Sequence, residues 1–389
     1  MSAGSNAGLS ADVIVVGAGA AGAAAAYHLT ARGRRVLLLE REALPRLKPC
    51  GGGMAASVQA WFPFPLLPEV DQVIRRVRFT WCLEDPVTAV LPGESPFWIV
   101  RRSRLDQAIA EHAVAAGAAL EDRSPVQSIH RDGDHWVVET PTHRHRSRAL
   151  VLADGSASPF AAQLGLGPPR PRFASAVAVE VDASVQEPDM ARFEFGLVHH
   201  GFSWAFPRRG GWSIGVGTFV GRDLPDADAV LARLLPDLGL PADAGLRRPS
   251  PLRVWDGHHP LHAPGVVVVG DAASLCDPFL AEGLRPALLS GVRAAEAIDR
   301  LLSAAAAADG PGAEAALAGY SAAMRREWGD SMAWGRRIAQ VFYRLPRVGY
   351  QLGIKRPTAP RRIAQILSGE MGYGDIAQRV IRRLLFQRG

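Results

Sequence analysis

Cysteine is scarce. Cys50, Cys82 and Cys276 are the only three in 389 residues, too few for a disulfide framework or a metal quartet, and their scarcity points to a reducing cytoplasm. Long apolar runs are missing too. No stretch reaches the roughly 18 residues that a membrane-spanning helix needs. The first positive side chain is Arg32, so the N-terminal region has Ala-x-Ala tripeptides but not the basic flank of a secretory leader. There is no Gly-x-Ser-x-Gly elbow, no internal repeat and no recognisable nucleic-acid motif, so nucleic acid is not an expected partner. The histidines (His143 and His145, His199 and His200, His258, His259 and His262) have no ligand partner at a telling spacing, so no metal site is expected. Cys82 and Cys276 read as core thiols.

The sequence is rich in apolar residues (48%), enough for a large packed core, and carries a net charge of +6. That charge is uneven. From Trp334 onward twelve Arg or Lys face two acids, Glu370 and Asp375, leaving the rest of the chain at about −4. This basic tail is expected either to form a solvated helical face or to touch an anionic membrane surface, making the protein cytoplasmic and peripheral to the membrane.

The richest local pattern is Asp12 to Gly22. Val13 to Val16 reads as a buried strand, Gly17, Gly19 and Gly22 form a GxGxxG turn, and Ala20 and Ala21 open a helix. Gly17 allows the tight turn, Gly19 lets a pyrophosphate approach the backbone, and Gly22 lets helix and strand pack closely. The helix start offers free N–H groups and a positive dipole to phosphate. Val36 to Leu39 reads as the next parallel strand. It ends on Glu40 and Arg41, with Glu40 placed 23 residues after Gly17, close to the usual spacing of a ribose-binding acid.

Further along, Arg76 to Val90 reads as strand. Arg102 opens an amphipathic helix with Leu105, Ile109 and Ala113 on one face, and Gly117 ends it. Short strands are expected near Val126–Ile129 and Trp136–Thr140, with Asp132-Gly133 as the turn. Arg148 to Ala153 is another buried strand. Segments near Ala176–Val181, Phe193–Val198, Trp204–Pro207 and Trp212–Thr218 suggest an antiparallel sheet. Val266 to Val269 returns to a buried parallel strand, and an Ala-rich helix follows from Leu284 to Ala308, broken at Asp309. The last segment is helical, with apolar spacing at Ile338, Val341, Phe342 and Leu345 and then at Ile376, Val380 and Leu384. The expected fold is α/β (α+β overall). A discontinuous Rossmann-like domain (10–75, 98–165, 264–330) carries an inserted antiparallel substrate domain (76–97, 166–263) and a basic helical tail (331–389).

Three motifs add to the first: Arg102-Ser-Arg-Leu-Asp106 at a helix start, Ala153-Asp154-Gly155 at a strand end, and Gly270-Asp271-Ala-Ala followed by Gly283 and Leu284. Two loops are narrower signals, Lys48-Pro-Cys50-Gly51-Gly52-Gly53 and Gly201-Phe202-Ser-Trp204-Ala-Phe206-Pro207-Arg208. Together they resemble the geranylgeranyl reductase family of the para-hydroxybenzoate hydroxylase-like flavoproteins, over about residues 12 to 350. The loops are similar to that family's KxCGG and YxWxFP motifs, but Phe202 stands at the tyrosine, Arg208 at the usual lysine, and Ala281 at a common glycine.

The resemblance implies FAD bound by Gly17, Gly19, Ala20, Ala21, Gly22, Glu40, Arg41, Cys50, Gly51, Gly52, Arg102, Asp154, Asp271, Gly283 and Leu284. It also implies hydride transfer from reduced flavin to C=C bonds of an isoprenoid chain held by Phe202, Trp204, Phe206 and Pro207. An unactivated alkene has no polar handle, so aromatic burial must bind it. The carbon next to the hydride acceptor needs a proton, for which Cys50 is the catalytic candidate; otherwise Cys50 is a small residue in a glycine loop. No second dinucleotide fingerprint is present, leaving the electron donor (NADPH or a ferredoxin-type protein) unidentified. The alternatives are an aromatic monooxygenase or halogenase on the same scaffold, although the halogenase WxWxIP motif is absent, and a non-catalytic flavin-containing prenyl-lipid carrier.

Overall fold

The computed structural model describes residues 7–94, 96–219, 226–356 and 358–386. Ala7–Val16 lies at the centre of a sheet. Arg144–Leu152 and then Val266–Val268 lie on one side of it, and Val36–Leu39 and then Ala119–Glu121 on the other, all parallel. The stretches that pair at the core, Val13–Val16, Val36–Leu39, Ala149–Leu152 and Val266–Val268, are continuous apolar runs, as strands covered on both faces are. Val13, Leu37, Leu150 and Val267 are fully buried. Ser128–Asp132 and His135–Glu139 form an antiparallel pair on the early part of Arg144–Leu152, joined at Gly133 with φ +63°.

The Ala-rich helix Ala20–Thr30 is buried almost all round. Small side chains let its neighbours close in: a Cβ on Gly291, in the long helix Leu284–Ala306, would lie 2.3 Å from the Ala21 carbonyl oxygen. Helix Arg102–Ala115 buries Leu105, Ile109 and Ala113, the face expected from its spacing.

A second sheet runs in the order Arg248–Pro249, Arg172–Asp182, Gly211–Thr218, Gly201–Arg208, Met190–Phe195, Arg76–Trp81, Glu84–Val90. It is antiparallel except where Met190–Phe195 runs parallel to Arg76–Trp81. A three-stranded sheet of Gly53–Ala55, Phe97–Val100 and Val70–Ile74 lies between the sheets in sequence. Helix Ala227–Asp237, N-capped by Asp226, has no counterpart among the sequence expectations. It packs Leu231, Leu234 and Leu235 on Val179 and Ile214 behind the second sheet.

Three details differ from expectation. Asp309 does more than break a helix: its carboxylate accepts from Gly312 N–H at 2.9 Å and caps the next helix, Gly310–Met324. Cys82 is no core thiol, being half-buried at φ +53° in the turn after Arg76–Trp81. In Asp330–Arg344 and the residue after it, Phe342 is buried, but Val341 and Leu345 are 76% and 61% exposed. Helix Tyr373–Phe386 carries Ile376; the side chains of Val380 and Leu384, and all of Arg388, lie outside the described residues.

Candidate active site

A cavity of about 650 Å³ opens where the C-terminal ends of the parallel strands meet the second sheet. One end is polar. Gly17 has φ +101°, and a Cβ there would lie 2.4 Å from the Ala153 carbonyl oxygen, so both the turn and the neighbouring strand require glycine. Gly19 meets no backbone; the nearest atom to a Cβ is the Arg46 guanidinium at 3.0 Å, leaving a cradle that a ligand can enter. Gly19 also caps helix Ala20–Thr30 without a side-chain bond, so the first N–H groups of that helix are free. Gly22 is off the cavity. A Cβ there would lie 1.8 Å from the Gly17 carbonyl oxygen, so this glycine packs the helix on the loop and does not touch a ligand.

Charged side chains surround this end. Arg102 makes a bidentate pair with Asp106 (2.8 and 2.7 Å), both buried, and Arg46 bridges Asp106 at 3.4 Å and Glu40 at 3.2 Å. Glu40 accepts from Ala18 N–H at 2.8 Å, so the acid braces the glycine turn as well as lining the cavity. Arg41 stands at the exposed edge beside Glu42. Asp154 has both carboxylate oxygens shielded and without a hydrogen-bond partner among the described residues, and burial pushes its carboxyl above the usual range. Such an orphaned group fits a site built for polar ligand atoms.

The other end is apolar. Along Gly201–Arg208 alternate side chains turn to opposite faces, placing Phe202, Trp204 and Phe206 on the cavity. Pro207 does not line it: alternation puts this residue on the opposite face with Ala205, correcting its assignment to the substrate wall. The neighbouring strand makes room with glycine. Gly215 pairs with Trp204, and a Cβ on it would enter the indole ring at 2.0 Å. Phe193, Phe219 and Phe97 complete the wall; the sequence reading missed them because they come from separate strands and loops.

The Lys48–Gly53 loop joins the two ends. A Cβ on Gly51 would lie 3.0 Å from Trp204 Nε1 and 3.1 Å from Phe206, so the two narrow motifs meet in space. Gly52 has φ +78° and sits against the Val100 carbonyl. Cys50 lines the cavity, its Sγ accepting from Gly52 N–H at 3.3 Å. Lys48, one of two lysines in the chain, binds Asp271 at 2.7 Å. Burial alone would raise the Asp271 carboxyl, but Lys48, with Arg102 and Arg253, outweighs it and holds the group below the usual range.

Beyond Asp271 the chain turns through a buried acidic cluster. Cys276 is buried, which pushes its thiol well up. Asp277 accepts from Phe279 and Leu280 N–H and from the Tyr373 hydroxyl at 2.6 Å. Glu282 faces the cavity with Oε2 on Arg285 at 2.8 Å and Oε1 shielded and unpartnered. Gly283 then caps helix Leu284–Ala306 without a side-chain bond, a second open helix start in the same cavity, with Leu284 buried beside it. Lys48 stood in a quoted motif, but its role depends on Asp271, far away in sequence.

Away from the cavity, three groups that spacing along the chain did not connect lie close together. Glu121, His143 and His145 do come together, with ligand atoms within 4.8 Å of one another. However, Leu9 N–H donates to His145 Nδ1 at 3.1 Å, which fixes the ring proton on Nε2 facing Glu121 at 3.5 Å. That atom is a donor, not a ligand.

The profile of the family described as FAD dependent oxidoreductase matches residues 12–80 and 85–301. The chain belongs to the FAD-dependent oxidoreductase family. FAD is its cofactor, and the two open helix starts, the Gly19 cradle and the orphaned Asp154 fit a dinucleotide. This oxidoreductase is 28% identical over 312 residues to the digeranylgeranylglycerophospholipid reductase of Picrophilus torridus, covering 73% of the chain and 77% of the relative. It is 30% identical over 315 residues to the menaquinone reductase of Mycobacterium tuberculosis (75% and 77% covered). A geranylgeranyl bacteriochlorophyll reductase-like protein of Thermoplasma acidophilum shares the fold. The TM-score is 0.80 at 19% identity, over 96% of this chain and 99% of that one.

Proposed function

We propose that this oxidoreductase saturates C=C bonds of an isoprenoid chain carried by a lipid, quinone or pigment precursor. The observation that carries this reading is the meeting of the Cys50–Gly53 loop with Trp204 and Phe206, which builds an apolar wall directly beside the polar dinucleotide end. Relatives named as reductases of prenylated lipids and of menaquinone support it over an oxygen-using monooxygenase or halogenase.

Bound and reduced, FAD supplies a hydride. The residues then divide the remaining work. Gly17, Gly19 and the helix start at Ala20 and Ala21 would hold the pyrophosphate, with Glu40, Arg41 and Arg102 around it. Lys48 and Asp271 tie the Cys50 loop to the second helix start at Gly283 and Leu284. Asp154 borders the phosphate turn. Phe202, Trp204 and Phe206 bury the prenyl chain and exclude water, and Phe202 makes this wall drier than a tyrosine would. Cys50 and Gly51 would press on the chain where the two ends meet.

The substrate is expected to reach the site from a membrane. Val341, Leu345, Val348 and Leu352 are all exposed, and exposed Arg337, Arg344, Arg347 and Arg356 stand among them. This is the pattern of a surface that enters an anionic bilayer interface. No helix among the described residues is long and apolar enough to cross a membrane.

The test is anaerobic incubation of the pre-reduced holoenzyme with a geranylgeranyl lipid, read by mass spectrometry. Gain of hydrogen pairs is the expected result. No gain, with oxygen added to an aromatic substrate once air is admitted, would overturn the reading.

A further inference from the structure

We propose that Glu282 is the acid of the reaction: its carboxyl gives the proton to the alkene carbon next to the one that takes the hydride. This rests on the prenyl-reductase reading above.

Three geometric facts support it. Glu282 is nine-tenths buried and lines the same cavity as Cys50, Trp204 and Leu284. Only one of its oxygens is committed, Oε2 to Arg285; Oε1 is shielded from water and has no partner among the described residues. The backbone fixes its position, with Ala281 at φ +57° before it and Asp277 N–H donating to the Glu282 carbonyl at 3.0 Å. A buried carboxylate oxygen without a donor is costly, so Oε1 favours the protonated form; rotation about the terminal side-chain bond would bring its O–H to whatever fills the cavity.

The other carboxyls on the cavity are placed differently: Glu42 is exposed beside Arg41. Glu40 is held by Ala18 N–H and Arg46, and Asp271 by Lys48. Asp154 borders the phosphate turn, where a Cβ on Gly17 would lie 3.2 Å from the Asp154 Cα. Cys50 Sγ accepts from Gly52 N–H, which leaves its S–H as the competing donor that Cys50→Ser tests.

The groups facing Glu282 set its proton affinity. Burial dominates and raises it, Arg285 opposes, and Asp277, itself protonation-prone and held by Tyr373, adds to the rise; the result is a carboxyl pushed up to about 7. Cys276, Asp271 and Lys48 stand on the neighbouring turn and loop, near Gly283. An acid with that affinity holds its proton at neutral pH and can also release it.

The balance is simple. The π bond opens, one carbon gains the hydride with its two electrons from reduced FAD, and the neighbouring carbon gains the Glu282 proton. Glu282 remains as carboxylate beside Arg285 and is reprotonated from solvent once the product has left the cavity.

Pre-reduced holoenzyme is mixed with geranylgeranyl lipid without oxygen, and flavin reoxidation is followed as a function of pH. The wild-type rate should fall tenfold per pH unit above about 7. Glu282→Gln should be slower by about 10²- to 10⁴-fold with no such pH dependence. Glu282→Asp should keep the pH dependence at a reduced rate, and in Cys50→Ser, which is expected to be slower because Cys50 lines the cavity, the fall above pH 7 should remain. A second readout needs no turnover. The infrared difference between wild type and Glu282→Gln should contain a protonated-carboxyl band that titrates away near pH 7. Reoxidation of Glu282→Gln at the wild-type rate and pH profile, or absence of that band below pH 7, overturns the assignment alone. Failure of the wild type to be reoxidised by any prenyl lipid overturns the function and this inference together.

Discussion

At the scale of single residues, the site depends on positions where side chains are missing. Gly17 combines a left-handed backbone with a neighbouring carbonyl that leaves no room for a Cβ. Gly17→Ala should therefore destabilise the protein by about 3 kcal/mol or more and yield protein without bound FAD, measured by urea unfolding and by flavin absorbance. Trp204 is the opposite case, a large side chain housed by Gly215 on the next strand. Trp204→Ala should retain FAD while lowering kcat/KM for a prenyl substrate by about 10- to 100-fold, the effect of losing one buried aromatic contact. Equal loss of FAD and of turnover would place Trp204 in the cofactor site instead. The motif letters were legible in the sequence, but the partner of each was not: Lys48 and Asp271 lie 223 residues apart.

At the scale of elements, strand Met190–Phe195 has one face on the cavity and one behind it. Phe193 looks into the cavity, while its neighbour Glu194 is buried behind. Burial pushes Glu194 up to about 7, although the Thr80 hydroxyl and the Leu83 N–H both donate to it. Between the ordinary glutamate range and pH 7 the folded state thus binds more protons than the unfolded one, so this group makes stability fall as pH rises. Urea titrations at a series of pH values should show that slope reduced in Glu194→Gln, which should also gain stability relative to wild type above pH 7. An unchanged slope would mean that Glu194 is ionised in the fold. Alternation along Gly201–Arg208 was readable in advance, and with it which residues share a face. Which face met the cavity was not; Pro207 was carried along with its motif, although alternation sets it opposite Trp204 and Phe206.

At the scale of the whole molecule, the helical tail is part of the site's support. Tyr350 donates to carbonyls on Arg76–Trp81 and at Asp85, Leu367 lines the cavity, and Tyr373 holds Asp277. Tyr373→Phe leaves Asp277 Oδ2 without its donor and should cost about 1–3 kcal/mol by urea unfolding. The same tail carries the exposed apolar and arginine surface. Val341→Asp with Leu345→Asp should abolish flotation with phosphatidylglycerol vesicles at low salt while leaving FAD content unchanged. Flotation like that of the wild type would remove the membrane surface from the proposal. Composition announced the tail's charge and spacing announced its helices, but helical spacing alone does not say which side is covered.

The sequence by itself determined the parallel strands, the glycine turn and the helix after Arg102, since these follow from local periodicity and backbone sterics, while FAD came from the resemblance of its motifs to a flavoprotein family. Tertiary structure decided the rest. It brought the Cys50 loop against Trp204, set Lys48 on Asp271, turned Pro207 away, and buried Glu282 with one oxygen free. Each depends on which distant segments share a volume and how much water they exclude, and no local pattern encodes that.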